Sequence, residues 1–254
     1  LKMVALPVVA ILLFSTLYFV NWRPLQGNTA VIGALKALQT PGADKQAIEF
    51  FEKAYESAHL GRTEVVEQMI SGSLPILSGS LSTEEKNAFY AFMKQAVLEQ
   101  GQSLDNDTRH HLLSGSFYSS VGGLDEALMH LEKAKELMPQ KQQIYFEIGE
   151  VYIQDKQNAK ALAIFKQGYD LAPSNQEAKI IYLIGAIYAG DFSLETRMIK
   201  EVGERDYAFD GRILTAYYVN GQIAKVRALL NERKRLDPAN TSLYDKYLEE
   251  IKNK

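Results

Sequence analysis

The chain opens with an uninterrupted apolar run and then changes to a pattern of alternating apolar and polar positions. Residues 3–20 are eighteen consecutive residues without a charge. A helix needs about 20 apolar residues to cross about 30 Å of hydrocarbon. Trp22 and Arg23 follow the run, where lipid headgroups would lie. The pattern therefore predicts a transmembrane helix and its flank over residues 1–23, with membrane contact through residues 3–20.

Two other interpretations of this run are a secretory signal sequence and a helix buried in a protein core. The run is longer than a signal core of about 7–15 residues, and no small-x-small cleavage site follows Val20. Because the chain begins with Leu1 and one lysine precedes the run, we expect a piece of a longer protein. In that case the span is the last of several.

Beyond Pro24 the apolar residues recur at spacings of three and four, which is typical of amphipathic helices. Short breaks rich in Gly, Pro, Ser or Asp interrupt the pattern. The predicted breaks lie at residues 41–42, 61, 71–82, 101–107, 122–123, 139, 155–158, 173, 190–191, 206, 221 and 238. No segment alternates like a strand. The pattern predicts an all-α fold of antiparallel helical hairpins, degenerate over residues 24–107 and regular over residues 108–254.

The regular region contains an internal repeat, because Pro139 and Pro173 lie 34 residues apart. Counted from Thr108, positions 8, 11, 20, 24, 27 and 32 are Gly115, Tyr118, Ala127, Leu131, Ala134 and Pro139. Counted from Gln142, the same positions are Gly149, Tyr152, Ala161, Phe165, Gly168 and Pro173. The matching residue types predict two successive hairpins of one design.

Each repeated residue type has a packing role. Small side chains at positions 8 and 20 let the two helices of a hairpin approach closely, and bulky ones at positions 11 and 24 fill the gap. Position 27 is predicted to face the next hairpin, so Ala134 and Gly168 would allow close stacking. The tyrosines predicted to lie in the core at position 11 are Tyr118, Tyr152, Tyr188 and Tyr217.

Weaker copies lie on both sides of these two hairpins. Gly185 and Tyr188 keep the spacing of positions 8 and 11. A last copy counted from Tyr207 places Tyr217, Leu230 and Pro238 at positions 11, 24 and 32, and residues 243–251 form a closing helix. Near the start, Ala47, Phe51 and Ala54 keep the spacing of positions 20, 24 and 27. Stacking is therefore predicted to begin directly after the membrane.

Residues 108–174 resemble the tetratricopeptide repeat family, and residues 24–254 resemble it more loosely. The resemblance implies an α-solenoid whose first helices line a concave groove for a protein or peptide partner, with no particular chemistry. It assigns to that groove Arg109, Leu112, Ser116, Ser119, Gln143, Phe146, Glu150, Ile153, Tyr182, Arg212 and Tyr218. Phe146, Tyr182 and Tyr218 are expected to be exposed aromatic anchors. The lysine and asparagine clamp of chaperone-binding members is absent from these positions.

The membrane junction resembles a second family. The residues that carry this likeness are Tyr18-Phe19-Val20-Asn21-Trp22-Arg23-Pro24-Leu25, Phe51-Glu52-Lys53-Ala54 and Gly61-Arg62-Thr63-Glu64-Val65-Val66-Glu67-Gln68. Over residues 1–75 the chain is similar to the C-terminal part of bacterial O-antigen ligase or polymerase-like membrane proteins. In that family a polytopic membrane part carries the glycan-transfer chemistry, so no catalytic residue is implied here. The resemblance implies a bacterial inner-membrane protein with an extracytoplasmic repeat domain.

Composition removes several classes of function. The formal net charge is −3 and no basic block stands out, so a nucleic-acid partner is not expected. The absence of cysteine removes thiolate chemistry and cysteine metal sites. The histidines His59, His110, His111 and His130 have no metal-ligand spacing, and there is no phosphate-binding glycine motif. Neither a metal, a cofactor nor a catalytic site is predicted.

Two hypotheses follow. The first is a membrane-anchored tetratricopeptide module that binds a protein partner, in bacterial envelope glycan assembly. The second is the non-catalytic tail of an O-antigen ligase or polymerase-like glycan transferase. Further apolar spans encoded upstream of Leu1 would favour the second, and a start codon directly upstream would favour the first.

Overall fold

The computed structural model describes residues 2–58, 61–101 and 104–252. All regular elements in these ranges are helices, and no strand occurs among them, which confirms the predicted all-α class. The chain forms two compact units, residues 1–123 and 124–254. The division falls within the first predicted repeat. The predicted boundary between residues 107 and 108, which follows from counting repeat positions from Thr108, stays a prediction.

The first unit begins with one continuous helical segment. It consists of α1 (Lys2–Thr16), a π-helical turn (Leu17–Trp22) and α2 (Arg23–Leu38). Pro24 has no N–H, and its ring would crowd the carbonyl four residues earlier in a regular helix. The wider π turn, in which the N–H of Arg23 donates to the carbonyl of Tyr18, accommodates this proline. The helix therefore passes from the apolar run into the repeat region without a loop.

The apolar part of this segment is exposed. Residues 7–38 form a helix long and apolar enough to cross a membrane, and none of its most apolar window is buried in the described protein. Phe14 is 73% exposed and Ile11 is 64% exposed. The interpretation as a helix buried in a core is therefore wrong. A membrane span and a signal sequence both fit the exposed helix.

Four further helices complete the first unit. They are α3 (Asp44–Ser57), α4 (Arg62–Ser78), α5 (Thr83–Gly101) and α6 (Thr108–Ser120). Helix α2 packs along α3, which confirms that stacking starts directly after the apolar run. Ala47, Phe51 and Ala54 are fully buried, as the early copy of the repeat spacing predicts.

The predicted break at residues 71–82 is wrong for its first part, because α4 continues to Ser78 through Pro75. Gly72 is a contact position there and not a helix end. A Cβ on Gly72 would lie 2.9 Å from Leu38 Cδ1 and 3.0 Å from Phe51 Cζ. Tertiary packing of this face overrides the low helix propensity of glycine and proline.

The second unit is also built from helical hairpins. Its elements are α7 (Leu124–Leu137), α8 (Gln142–Gln154), α9 (Asn158–Leu171), α10 (Gln176–Ala189), α11 (Phe192–Val202), α12 (Glu204–Phe209), α13 (Gly211–Val219), α14 (Ile223–Leu236), a 3-10 turn (Pro238–Asn240) and α15 (Thr241–Glu250). The closing helix is present with its bounds shifted by one or two residues. The prolines at 139, 173 and 238 follow helix ends, as predicted.

The predicted break at Asp206 is wrong, because Asp206 lies inside the short helix α12. The chain breaks on either side of it, at Gly203 and Asp210. Gly203 has a φ of 89° and a ψ of 153°, a backbone conformation that favours glycine. Asp210 caps α13, since its carboxylate accepts from the backbone N–H of Arg212.

Candidate functional site

The repeat glycines bring three helices of the second unit together around one ring. A Cβ on Gly149 of α8 would lie 2.0 Å from Phe165 Cε1, and one on Gly185 of α10 would lie 2.7 Å from Phe165 Cδ2. Phe165 and Ala161 of α9 are buried. The ring of Phe165 therefore fills the space where the side chains of both glycines would otherwise stand, which confirms the close contact predicted for position 8.

Gly168 departs from its prediction. The atoms nearest to a Cβ on Gly168 belong to Tyr145 and Phe146 of α8, within its own hairpin. Gln142 also donates a hydrogen bond of 2.7 Å to the carbonyl of Gly168. The expectation that Gly168 faces the next hairpin is therefore wrong, because the side chains closest to Gly168 belong to its own hairpin. A large side chain at Phe146 takes up the space on this side of α9.

A cavity of about 600 Å³ lies among α8, α9, α10 and α13, and we call it the groove. It is lined by Glu150, Ile153, Gln154, Phe165, Ile181, Ile184, Tyr188, Asp210, Gly211, Arg212 and Thr215. Ile153, Phe165, Ile181 and Ile184 form an apolar floor. Charged and polar side chains from α8 and α13 stand beside it. Pockets of about 300–1,000 Å³ with this combination of walls are typical of ligand sites.

Arg212 is fixed on the α13 side of the groove by two carboxylates. Its Nη2 lies 2.9 Å from Glu177 Oε2 of α10 and 2.8 Å from Asp210 Oδ2. The hydrogen bonds that Arg212 donates to Glu177 and to Asp210, in that order of effect, raise the pKa of Arg212. Burial would raise the pKa of Asp210, but the hydrogen bonds from Arg212 outweigh it and lower that pKa. The guanidinium is therefore already neutralised by protein groups.

Glu150 stands on the α8 side without such a partner. No hydrogen bond or ion pair joins it to another side chain in the described part of the protein, although its side chain is accessible to water. The surrounding protein desolvates its carboxylate, and this is the main cause of a raised pKa. The negative charge of Glu147 adds to the rise, and the positive charge of Arg212 opposes it.

The structure brings three of the predicted groove residues together, namely Glu150, Ile153 and Arg212. Gln143 is exposed and Phe146 is half-buried, and both lie outside the lining of the groove. Tyr182 is 5% exposed and stacks on Tyr169, with 5.1 Å between ring centroids. The expectation of an exposed aromatic at Tyr182 is therefore wrong.

Tyr218 is exposed, as predicted, but it lines a different cavity. That cavity of about 300 Å³ lies between α13, α14 and α15, where Tyr218 stands with Leu214 and Tyr247. Tyr218 therefore belongs to the C-terminal end of the unit and not to the groove.

The remaining predicted residues lie on α6, in the first unit. Arg109 Nη2 is 2.5 Å from Glu67 Oε2 of α4. Leu112 is 6% exposed, so the expectation that it lines an open surface is wrong. Ser116 and Ser119 are half-buried. An α6 contribution to a partner site stays a prediction for Arg109 and Ser116.

Several residues of the groove were not predicted. Tyr188 and Tyr152 were expected in the core, yet both are half-buried, and Tyr188 lines the groove. Tyr118 and Tyr217 are fully buried, as predicted. The contribution of Asp210 depends on α13 packing against α10 after the inserted helix α12. Asp210 directly before Gly211 is a helix-start signal that could have identified it.

A buried ionic network lies apart from the groove lining. Glu195 of α11 is 3% exposed, and its carboxylate accepts from Lys225 Nζ at 2.5 Å and from Tyr217 Oη at 2.6 Å. Burial and the hydrogen bond to Glu195 raise the pKa of Tyr217. The network joins α11, α13 and α14 and satisfies the charge of Glu195, which is a structural role.

No group of three potential metal ligands occurs within residues 2–58, 61–101 and 104–252. His59 lies outside the described residues. His110, His111 and His130 are buried. Burial and the neighbouring His111 lower the pKa of His110.

Residues 142–175 match the family model described as tetratricopeptide repeat. No curated protein matches the chain in sequence. Among solved structures, PilF of Pseudomonas aeruginosa is 16% identical with a TM-score of 0.51, covering 91% of this chain and 100% of that one. The MamA RS-1 ArsTM double mutant is 15% identical with a TM-score of 0.51, covering 73% and 97%.

At these identities the structural likeness shows the fold alone. Residues 142–175 form one tetratricopeptide repeat, in a chain whose fold is similar to those two structures. None of the comparisons supports the resemblance to O-antigen ligases.

Proposed function

We propose that this protein is a membrane-anchored tetratricopeptide module that binds a segment of a partner protein in the groove. The observation that carries the proposal is the groove itself. It combines an apolar floor of Ile153, Phe165, Ile181 and Ile184 with charged groups beside it. Protein-binding sites typically place apolar pockets at the centre and polar groups around them.

The exposed helix supports the membrane anchor. A contiguous apolar surface over residues 7–20 is unfavourable in water and stable in hydrocarbon. Placement in a bacterial inner membrane, with the repeats outside the cytoplasm, rests on the resemblance over residues 1–75. Alkaline phosphatase and green fluorescent protein fused after Lys254 test this orientation. Phosphatase activity with no fluorescence is expected, and the reverse result would contradict it.

A role in envelope glycan assembly rests on the same resemblance and is the finer part of the proposal. The second candidate, the tail of a glycan ligase, is favoured by the uninterrupted helix that leads from the apolar run into α2. Deleting the genomic coding sequence tests both candidates. Loss of surface polysaccharide length or attachment supports them, and unchanged polysaccharide contradicts both.

Photo-crosslinking tests the groove directly. We expect a photo-reactive amino acid in place of Thr215, which lines the groove, to capture a partner in native membranes. The same amino acid in place of Ser193, an exposed position outside the lining, is the matched control. Capture at Thr215 that Ile153→Asp abolishes is the expected result, because Ile153 lines the groove and is only half-buried. Equal capture at both positions would contradict a partner site in the groove.

A further inference from the structure

The groove lining has more negative than positive side chains. Asp210 and Glu177 are both bound to Arg212, so one cation is shared by two carboxylates. Glu150 adds a further carboxylate that has no ion pair among the described residues. The lining side chains Glu150, Asp210 and Arg212 therefore carry an excess of negative charge.

This arrangement disfavours an anionic partner. A carboxylate or phosphate entering the groove would have to displace Glu177 or Asp210 from Arg212, and it would meet Glu150 on the opposite side. Glu147, one helical turn before Glu150 on α8, is also acidic, and its negative charge is close enough to raise the pKa of Glu150. The electrostatic complement of the groove is a positive charge.

The floor adds a second requirement. The lining side chains Ile153, Phe165, Ile181 and Ile184 come from three helices. Ile153 is half-buried and is the most accessible of the four beside the carboxylate of Glu150, whereas Phe165, Ile181 and Ile184 are 1%, 3% and 6% exposed and form the closed base of the groove. A Lys or Arg side chain has an aliphatic stem that can cover apolar surface while its charged end reaches a carboxylate. Apolar side chains next to that cation in the partner would fill the rest of the floor.

We propose that the groove binds a protein segment with a lysine or arginine flanked by apolar residues, and that the cation pairs with Glu150. This inference rests on the proposed function and deepens it by naming the chemistry of the partner. Glu150 is a specificity residue, because its charge would distinguish a cationic segment from a neutral one of the same shape.

The test uses the full chain in nanodiscs of neutral phosphatidylcholine, with benzoylphenylalanine in place of Thr215. The probes are libraries of twelve-residue peptides drawn from Ala, Leu, Ile, Ser and Gly, with one fixed residue that is Lys, Arg, norleucine or Glu. We expect Lys and Arg peptides to crosslink about tenfold more than norleucine peptides, the gain of one charge-assisted contact. Glu peptides should crosslink least.

Substitutions of Glu150 test whether this side chain causes the preference for a cation. Glu150→Gln should bring the ratio of Lys to norleucine peptides close to one, and Glu150→Lys should favour the Glu peptides. Glu136→Gln, an exposed change on α7 outside the lining, is the matched control and should keep the tenfold preference. A preference that survives Glu150→Gln would overturn the role of Glu150.

The remaining outcomes separate the two proposals. Peptides that crosslink at Thr215 with no preference for a cation would overturn this inference and leave the groove as a binding site. Failure of every library to crosslink would overturn the proposed function as well. A third outcome is that free spermidine blocks crosslinking while Lys peptides crosslink no more than norleucine peptides. That result would mean that the groove binds a polyamine, and it would overturn the proposal of a protein partner.

Discussion

Gly149 has no room for a side chain. The ring of Phe165 occupies the place of its missing Cβ, at 2.0 Å, and the helices α8 and α9 meet at this point. Gly211, at the start of α13, has no atom within 4 Å of the corresponding position. The two glycines therefore offer a matched pair, one at a close helix contact and one in open space.

We expect Gly149→Ala to destabilise the second unit. The added methyl overpacks the contact, which costs about 1–3 kcal/mol or more and exceeds the roughly 1 kcal/mol that alanine gains over glycine in a helix. Urea unfolding of the full chain in detergent, with hydrogen exchange measured in α8 and α9, gives the change. Gly211→Ala should be neutral or slightly stabilising. Equal stability of the two variants would contradict the packing described for Gly149.

Glu150, the proposed specificity residue, is expected to reduce the stability of the folded protein. Its pKa in the folded protein is raised above the ordinary value of 4.5, so the folded state holds its proton to higher pH than the unfolded state. Stability is then lost as pH rises from 4.5 through the raised pKa. At neutral pH the ionised carboxylate therefore opposes folding.

We expect Glu150→Gln to stabilise the protein at pH 7, by no more than about 0.5 kcal/mol because the side chain is accessible to water. The gain should disappear at pH 4, where the carboxyl is protonated in both states. Thermal unfolding at the two pH values, with Glu136→Gln as control, measures it. A variant that is less stable at pH 7 than at pH 4, relative to wild type, would contradict the raised pKa.

The helices α11 and α14 are joined through a charge in the interior. Glu195 occupies a place where the clear repeats have a small residue on the second helix, and the side chains of Lys225 and Tyr217 satisfy its carboxylate. The ring of Phe192 lies 4.9 Å from Lys225 Nζ and covers it further. The last hairpins thus replace close packing by an ionic contact.

We expect Lys225→Met to destabilise the second unit by about 3 kcal/mol, because it leaves the buried charge of Glu195 without its cation. Adding Glu195→Gln should recover part of that loss, and the double-mutant cycle gives the coupling between the two residues. Lys166→Met, which removes an exposed pair with Asp170, should change stability by less than about 0.5 kcal/mol. Equal effects of the two Lys→Met changes would contradict a buried pair.

Most helices could be predicted from apolar periodicity and from the glycines and prolines between them. The exceptions are elements whose ends depend on distant contacts. Helix α4 passes through Gly72 because Phe51 and Leu38 pack against that glycine, and no local signal encodes this. Helix α12 begins directly after Gly203, whose φ of 89° and ψ of 153° redirect the chain. In the sequence, this glycine looks the same as a glycine that ends an ordinary helix.

The groove could be predicted only in part, and the reason is the inserted helix. The positions of Glu150 and Ile153 follow from the repeat count on α8. The approach of Asp210 and Thr215 depends on how α13 meets α10 after α12, and α13 begins 35 residues after the start of α10, where α10 begins 34 residues after the start of α8. Tyr182 could not be assigned correctly, since α10 is apolar on nearly all sides and its buried face has no marking in the sequence.

At the scale of the whole molecule, the first helix decides whether the protein is held at a membrane. If residues 3–20 form a span, the mature protein keeps its N-terminus and stays in the membrane fraction after carbonate extraction. Leu13→Arg should weaken membrane insertion by about 2.5–3.5 kcal/mol. Intact mass and fractionation measure both effects, with the exposed Thr29→Arg change as control. A mature chain that begins after Val20 would contradict the anchor and indicate a signal sequence.

The helix that runs without a loop from Lys2 to Leu38 has a mechanical consequence. Gly27 of α2 already meets Ala58 beyond the end of α3, where a Cβ would lie 3.3 Å from Ala58 Cβ. Gly27 is the seventh residue after Val20, a rise of about 10 Å along the helix. The first hairpin is thus connected to the apolar segment by continuous helix with no flexible loop between them. A rotation or tilt of the N-terminal segment would therefore be transmitted through α2 to α3.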